Sequence, residues 1–173
     1  MNMMSQPFEL PPVQVRLCLP PDPAATDALG ERMGRQLQPG DVVGLVGEVG
    51  AGTTSLVRGL ARGLGVEDPD AVASPTYLLV VEHAGPKPLL HADAYLPAKL
   101  AGFLADGGLE YLFQPSAVAC VEWADRITAL VPQGALWVEL SMAADGGRNV
   151  AFRCAAAEGF PWIRALGENP KPE

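Results

Sequence analysis

The chain has 173 residues, a formal net charge of −8 and 49% hydrophobic residues. This length suits one compact domain, and the apolar content is sufficient for a core. A net negative charge is not what a nucleic-acid-binding surface needs, whereas an acidic surface can bind a basic protein partner. No stretch approaches the ~18 apolar residues of a membrane span, and the N-terminus lacks the charged start and apolar run of a signal peptide. The three cysteines do not have the spacing of metal ligands. We therefore expect a cytoplasmic protein whose cysteines are free thiols.

The first predicted elements are a strand and a helix. Residues 1–12 are polar or contain proline, and we expect a flexible N-terminus there. Alternation over Val13–Leu19 predicts a strand, and apolar residues spaced for one face predict a helix over 24–37. A single domain is predicted over 13–157, followed by a C-terminal tail over 158–173 that should fray.

A glycine-rich loop between the next strand and helix carries the clearest functional signal. An apolar run over 41–46 predicts a buried parallel strand, and 54–64 predicts an amphipathic helix that ends at Gly65. The intervening letters GEVGAGTT match the phosphate-binding pattern G-x-x-x-x-G-K-[ST], except that Thr53 stands at the lysine position. Glycines let such a loop turn tightly and aim its N–H groups at an anion, which the helix dipole also favours. The predicted nucleotide-binding residues are Gly47, Glu48, Val49, Gly50, Ala51, Gly52, Thr53, Thr54 and Ser55.

The missing lysine bears directly on activity. A lysine at this position contacts the β- and γ-phosphates and offsets their charge. One ion pair at about 4 Å is worth on the order of 4 kcal/mol at an effective dielectric of about 20. Thr53 can donate a hydrogen bond but carries no charge, so we expect weaker nucleotide binding, slower turnover or a substitute cation from elsewhere.

The remainder of the chain predicts an α/β protein with the P-loop NTPase fold. Its sheet is expected to be mixed, with parallel strands at the centre and antiparallel strands at the edges. The predicted elements are strands over 77–82, 89–93, 117–122, 135–142 and 149–155, a helix over 100–113 that is interrupted at Gly107, and a short helix over 125–130.

Two acidic residues stand where predicted strands end. Ligands of an open α/β sheet lie beyond the carboxyl ends of its strands, so Asp93 and Glu122 are expected at the edge that carries the glycine-rich loop. Two acids near the Thr54 hydroxyl are what a hydrated Mg²⁺ and an attacking water require, which makes both acids candidate catalytic residues. The alternatives are a strand-end cap or turn residue for Asp93 and a solvated strand end for Glu122.

Three neighbouring residues are open to two interpretations each. His91 is as consistent with a structural histidine as with a catalytic one. Trp123 is either core packing or a lid over the nucleotide. Thr76 is either an ordinary residue after a proline or a hydroxyl switch that senses the γ-phosphate.

The order of these segments resembles one known family. The segments GEVGAGTTS, SPTY, HADAY and VEWADR, spread over about residues 25–140, are similar to the TsaE (YjeE) family of small bacterial P-loop ATPases needed to make threonylcarbamoyladenosine (t6A) in tRNA. The resemblance implies ATP with Mg²⁺, and action on a TsaB–TsaD assembly without direct tRNA binding. It implies the following roles: Thr54 and Glu122 at the metal, Asp93 positioning or activating water, Thr76 in a switch segment and Trp123 beside the nucleotide.

Two positions depart from that family pattern. Thr53 stands in place of lysine, and Leu96 stands where the family usually has arginine. Two cations are thus absent from an anionic site that keeps both acids. Arg58 and Arg126 are the nearest substitutes in sequence, and Arg126 is favoured because Arg58 is expected to point off the wrong face of its helix.

Three functions stay open at this point. The first is an ATPase, impaired or rewired, that supports t6A modification. The second is a P-loop binding module that keeps the fold and its partner contacts without hydrolysis. The third is a small P-loop kinase, which ranks last because no segment is rich in arginine, and a GTPase is weaker still because no guanine-reading N-K-x-D segment occurs.

Overall fold

One mixed sheet organises the chain in a computed structural model that describes residues 9–75, 79–156 and 159–167. Seven strands follow the order β1-β7-β6-β2-β5-β4-β3 across this sheet. The strands are β1 (Val13–Leu19), β2 (Val42–Gly47), β3 (Val80–His83), β4 (Leu89–Asp93), β5 (Val118–Glu122), β6 (Leu136–Met142) and β7 (Arg148–Arg153). The helices are α1 (Pro23–Gln36), α2 (Thr53–Leu64), α3 (Pro97–Phe103), α4 (Leu109–Leu112) and α5 (Ile163–Leu166), with 3-10 turns at Pro69–Ala71 and Ala124–Leu130.

The pairing of the strands confirms the predicted fold class. Strand β2 runs parallel to both β5 and β6, and β4 runs parallel to β5. Strands β1, β7 and β6 form antiparallel pairs at one edge, and β3 pairs antiparallel with β4 at the other. The parallel centre therefore aligns the carboxyl ends of β2, β4 and β5, which is where ligands of such sheets lie.

Helices α1 and α2 pack against each other so closely that glycine is required between them. A Cβ placed on Gly30 would lie 2.2 Å from the Leu56 carbonyl oxygen, and one on Gly59 would lie 1.9 Å from the Asp27 carbonyl oxygen. The apolar faces of both helices belong to one core cluster with residues of the central strands, such as Leu45. This contact sets the position of the start of α2, and hence of the glycine-rich loop.

A second layer covers the opposite face of the sheet. Leu100, Leu112 and Ile127 belong to a separate core cluster with Val121 of β5. The helix predicted over 100–113 is in pieces, as expected, because a π-helical segment at Leu104–Gly108 joins α3 to α4 and Gly107 has a φ of +93°. No helix among the described residues is long and apolar enough to cross a membrane.

The segment 159–167 corrects the expectation that the chain frays from residue 158. Phe160, Ile163 and Leu166 are buried in the same core cluster as α1. Arg32 of α1 donates hydrogen bonds to two main-chain carbonyls at the end of this segment, at 2.9 and 3.1 Å. The segment stays ordered because its apolar side chains bury surface against the domain, a long-range contact that its local composition does not signal.

Candidate functional site

The glycine-rich loop connects the end of β2 to the start of α2 by main-chain conformations that favour glycine. Gly50 and Gly52 have φ values of +84° and +102°. No described heavy atom lies within 4 Å of a Cβ placed on Gly50, so its left-handed conformation, not crowding, is what favours glycine there. The Ala51 N–H donates to the Glu48 carbonyl oxygen at 3.0 Å and closes a turn inside the loop.

The first turn of α2 has the features of an anion-binding helix end. Gly52 is the N-cap residue, and no described side chain caps the helix. No acidic residue lies in this first turn, so the positive end of the helix dipole is not offset there. The prediction of a strand, a glycine loop and a helix in this order is confirmed, with α2 beginning one residue earlier than expected, at Thr53.

A cavity of about 500 Å³ opens beside the loop. Its walls come from the loop, from residues 20–22 and the first turn of α1, and from the turn between β6 and β7 with the start of β7. This volume is in the range of small-molecule sites. The predicted nucleotide-binding residues that line it are Gly50, Gly52, Thr53, Thr54 and Ser55.

A second cavity, of about 620 Å³, also borders the loop. It is bounded by parts of β1, β6 and β7 as well as by the loop. The predicted residues that line it are Gly47, Glu48, Val49, Ala51 and Trp123. The predicted residues thus line two cavities, and Trp123 lines the second whereas Thr54 lines the first.

The two acids lie side by side at the carboxyl ends of β4 and β5. Asp93 and Glu122 are register partners and are only 1% and 3% exposed. The Nε2 atom of the fully buried His91 hydrogen-bonds Oε2 of Glu122 at 2.7 Å. Oδ1 of Asp93 accepts from the Tyr95 main-chain N–H at 2.7 Å, and Oδ2 accepts from the Ser74 hydroxyl at 3.2 Å.

These contacts bear on the alternative interpretations of each acid, whose catalytic roles stay predictions. Glu122 is buried beside His91, so the alternative of a solvated strand end is wrong. Asp93 does act as a turn residue through one oxygen, because it binds the N–H two residues later. Burial raises the pKa of the Cys120 thiol well above its ordinary value, and the carboxylate of Glu122 adds to the rise, so this thiol stays protonated.

Arg126, the favoured substitute cation, is held in an aromatic stack. The rings of Tyr95 and Trp123 lie 5.3 Å apart, and the Arg126 guanidinium carbon lies 4.9 and 4.8 Å from their centroids. Arg126 also donates to the Tyr95 carbonyl oxygen at 2.7 Å, while Arg58 donates to the Val72 carbonyl oxygen at 3.3 Å. Neither arginine is among the described residues that line the cavity beside Thr54.

The cation that contacts the loop is Arg148, which the sequence does not single out. Its Nε donates to the Ala51 carbonyl oxygen at 2.7 Å and its Nη2 to that of Gly50 at 3.1 Å. Its Nη1 donates to the carbonyl oxygens of Gly146 and Gly147 at 2.7 and 3.1 Å. No local pattern marks Arg148, because only the pairing of β6 with β7 brings it to the loop.

Two further predictions concern Thr76 and the metal. Thr76 lies outside the described residues, so its role as a switch stays a prediction. Among the described residues, no group of three or more His, Cys, Asp or Glu side chains could hold a metal ion. A metal at Thr54 and Glu122 therefore also stays a prediction.

Comparison with known proteins identifies the family. The fold and loop define a mixed α/β protein with a glycine-rich connection after a central parallel strand. A family model described as "Threonylcarbamoyl adenosine biosynthesis protein TsaE" matches residues 20–150. The chain therefore belongs to the TsaE family, which acts in the biosynthesis of threonylcarbamoyladenosine in tRNA, and the resemblance found in the sequence is confirmed.

Individual relatives agree with this assignment. The tRNA threonylcarbamoyladenosine biosynthesis protein TsaE of Treponema pallidum is 36% identical over 121 residues, which cover 70% of this chain and 87% of that protein. The protein of the same name from Bacillus subtilis is 35% identical over 132 residues, covering 76% and 80% respectively. The crystal structure of Bacillus subtilis YdiB has a TM-score of 0.70 and 28% identity, and the match covers 90% of this chain and 95% of that chain.

Proposed function

We propose that this protein binds ATP with Mg²⁺ at the glycine-rich loop and supports t6A modification of tRNA through a TsaB–TsaD assembly. The observation that carries this proposal is the loop itself. Two glycines with positive φ precede an uncapped helix start, and a cavity of about 500 Å³ opens beside them. Main-chain N–H groups at such a helix start favour phosphate groups.

The residues at the loop offer groups that bind phosphate, and Thr54 among them could bind a metal ion. Gly50 and Gly52 present no side chain to the cavity, and Thr54 and Ser55, which carry hydroxyl groups, also line it. Hydroxyl and carboxylate oxygens are ligands that Mg²⁺ prefers. Thr54 on the cavity wall would supply a hydroxyl, and Glu122, which is buried at the end of β5 and is not among the described residues that line the cavity, would supply a carboxylate oxygen. When bound, Mg²⁺ would neutralise phosphate charge.

The acid pair supplies the proposed chemistry of hydrolysis. Asp93 would position or activate the attacking water, because hydrogen bonds from the Tyr95 N–H and the Ser74 hydroxyl hold its carboxylate at the end of β4. His91 would orient Glu122, since it is buried and bonds one of the two carboxylate oxygens. Turnover is expected to be slow, because Thr53 adds no charge at the loop. The acidic chain, with its net charge of −8, favours a protein partner over direct tRNA binding.

Two measurements on the intact protein test the proposal. ATP and ADP are titrated calorimetrically with and without Mg²⁺, and phosphate release is then followed with and without the TsaB–TsaD pair from the same source. We expect Mg²⁺-dependent binding and hydrolysis that the pair stimulates. Absence of nucleotide binding under all these conditions would overturn the proposal.

A P-loop binding module is the second candidate, and Thr53 is the residue that favours it. A loop without lysine can keep its shape and its partner contacts while hydrolysis is lost. Asp93→Asn separates the two candidates, because it keeps the turn at Tyr95 but removes the charge. Partner-stimulated turnover that Asp93→Asn abolishes supports the ATPase, whereas partner binding without turnover in both proteins supports the module.

A further inference from the structure

Arg148 and Thr53 line the same cavity, and one has the charge that the other lacks. We propose that Arg148 supplies the fixed positive charge at the phosphate-binding loop in place of a lysine at position 53. This inference rests on the proposed nucleotide binding at the loop and names a residue on which that binding depends.

The hydrogen bonds of Arg148 set the direction of two peptide groups of the loop. Its guanidinium holds the carbonyl oxygens of Gly50 and Ala51. The C=O and N–H of a trans peptide point in opposite directions, so the Gly52 N–H points away from the guanidinium. Hydrogen bonds from a charged donor are stronger than neutral ones and polarise the peptide that accepts them. Arg148 thus makes this N–H a better donor to an anion.

The position of Arg148 also places its charge at the start of α2. A Cβ on Gly52, the N-cap residue, would lie 3.8 Å from the Arg148 Nε atom. The guanidinium charge therefore adds to the positive end of the helix dipole. Among the described residues that line the cavity, Arg148 is the one cation and Asp22 the one anion, and Asp22 caps α1 by accepting from the Ala24 N–H at 3.0 Å.

The turn between β6 and β7 holds Arg148 in place. Its Nη1 bonds the carbonyl oxygens of Gly146 and Gly147, and Asp145 accepts from the Gly147 N–H at 2.8 Å. The planar guanidinium can bond this turn and the loop at the same time, whereas a lysine ammonium at position 148 is a single point of charge. The arrangement is therefore preorganised before a ligand binds.

A double-mutant cycle tests the inference through ADP affinity, measured by calorimetry in the presence of Mg²⁺. The proteins are the unmodified chain, Arg148→Gln, Thr53→Lys and the double variant. We expect Arg148→Gln to weaken ADP binding by about tenfold or more when Thr53 is present, an effect typical of one partly screened charge. With lysine at position 53 the same change should cost less than about threefold, because the loop then has a second cation.

Arg153→Gln is the matched control. Arg153 lies on the same strand and carries the same charge, but it contacts Glu139 and the Pro11 carbonyl oxygen, not the loop. We expect its ADP affinity to stay within about twofold of that of the unmodified protein, because Arg153 is paired with Glu139 and lies at the opposite end of β7 from Arg148. Thermal unfolding of each variant confirms that it is folded.

A salt titration provides a second readout, the dependence of ADP binding on ionic strength. ADP binding by the unmodified protein should weaken with ionic strength more steeply than binding by Arg148→Gln, and Arg148→Lys should keep part of that dependence. Unchanged affinity in Arg148→Gln would overturn the inference, and so would an equal loss in both Thr53 and Thr53→Lys backgrounds, since Arg148 would then shape the loop without replacing the lysine. If neither the unmodified protein nor Thr53→Lys binds ADP, the proposed nucleotide site fails as well.

Discussion

The glycine-rich loop and the acid pair lie at the same edge of the sheet but are constructed in opposite ways. The loop is made of main-chain conformations, with Gly50 and Gly52 at positive φ and little side-chain packing. The acid pair is made of side chains that are almost fully buried and hydrogen-bonded. Substitutions in the loop should therefore act mainly on binding, whereas substitutions at the acid pair should act on stability or catalysis.

The largest effect on stability is expected when the hydrogen bond between His91 and Glu122 is removed. His91→Leu leaves the Glu122 carboxylate without its buried partner, so the free energy of unfolding should fall by about 3 kcal/mol. Urea unfolding measures this change. His83→Leu is the matched control, because the two rings lie 6.5 Å apart but the Nε2 of His83 has no hydrogen-bond partner among the described residues. A loss of unfolding free energy in His91→Leu no greater than that in His83→Leu would contradict a stabilising role of the bond between His91 and Glu122.

Removing the charge of Asp93 should affect turnover more than it affects stability. Asp93→Asn keeps an oxygen for the Tyr95 N–H but removes the carboxylate charge. We expect partner-stimulated turnover to fall by about 100-fold or more, in the range for loss of a general base. Phosphate release gives the rate, and urea unfolding should show a smaller change than for His91→Leu. Turnover equal to that of the unmodified protein would remove Asp93 from the proposed chemistry.

A substitution in the loop should have a smaller effect on stability than on binding. Gly50→Ala meets no described atom within 4 Å, so its cost is the left-handed backbone, about 1 kcal/mol of unfolding free energy. Gly102→Ala in α3 is the control, because that helical glycine has ordinary φ and open space, and alanine should stabilise it by up to about 1 kcal/mol. Calorimetry of ADP binding then shows whether Gly50→Ala weakens the site, and equal stability of both variants would count against strain at Gly50.

The smallest expected effect is a pH dependence of stability caused by His83. Burial, with a further contribution from His91, lowers the pKa of His83 below its ordinary value of 6.5, and Asp68 opposes this only in part. The folded state thus binds this proton less readily than the unfolded state, so stability is full above about pH 6.5 and declines as pH falls below it. His83→Gln should flatten the decline in urea unfolding measured across this range. An identical pH profile in both proteins would show that His83 is not its source.

Much of the fold could be predicted because its signals are local. The strand, glycine loop and helix at 41–64 appear in order in the sequence, and the interruption at Gly107 and the hairpin of β6 and β7 are also found there. Asp93 and Glu122 could be placed at one edge because parallel strands align their carboxyl ends. The bond between His91 and Glu122 could not be predicted, because it depends on the register of β4 against β5.

The sequence by itself determined the family, the sheet class and the position of the loop, since glycine conformations and hydrophobic periodicity are written along the chain. Only the tertiary structure decided which cation meets the loop, and it placed Arg148 there instead of Arg126. It also packed residues 159–167 into the core and placed Trp123 on the wall of a different cavity from the one that Thr54 lines. These are contacts between segments distant in sequence, whose geometry follows from strand order and helix packing and leaves no local pattern.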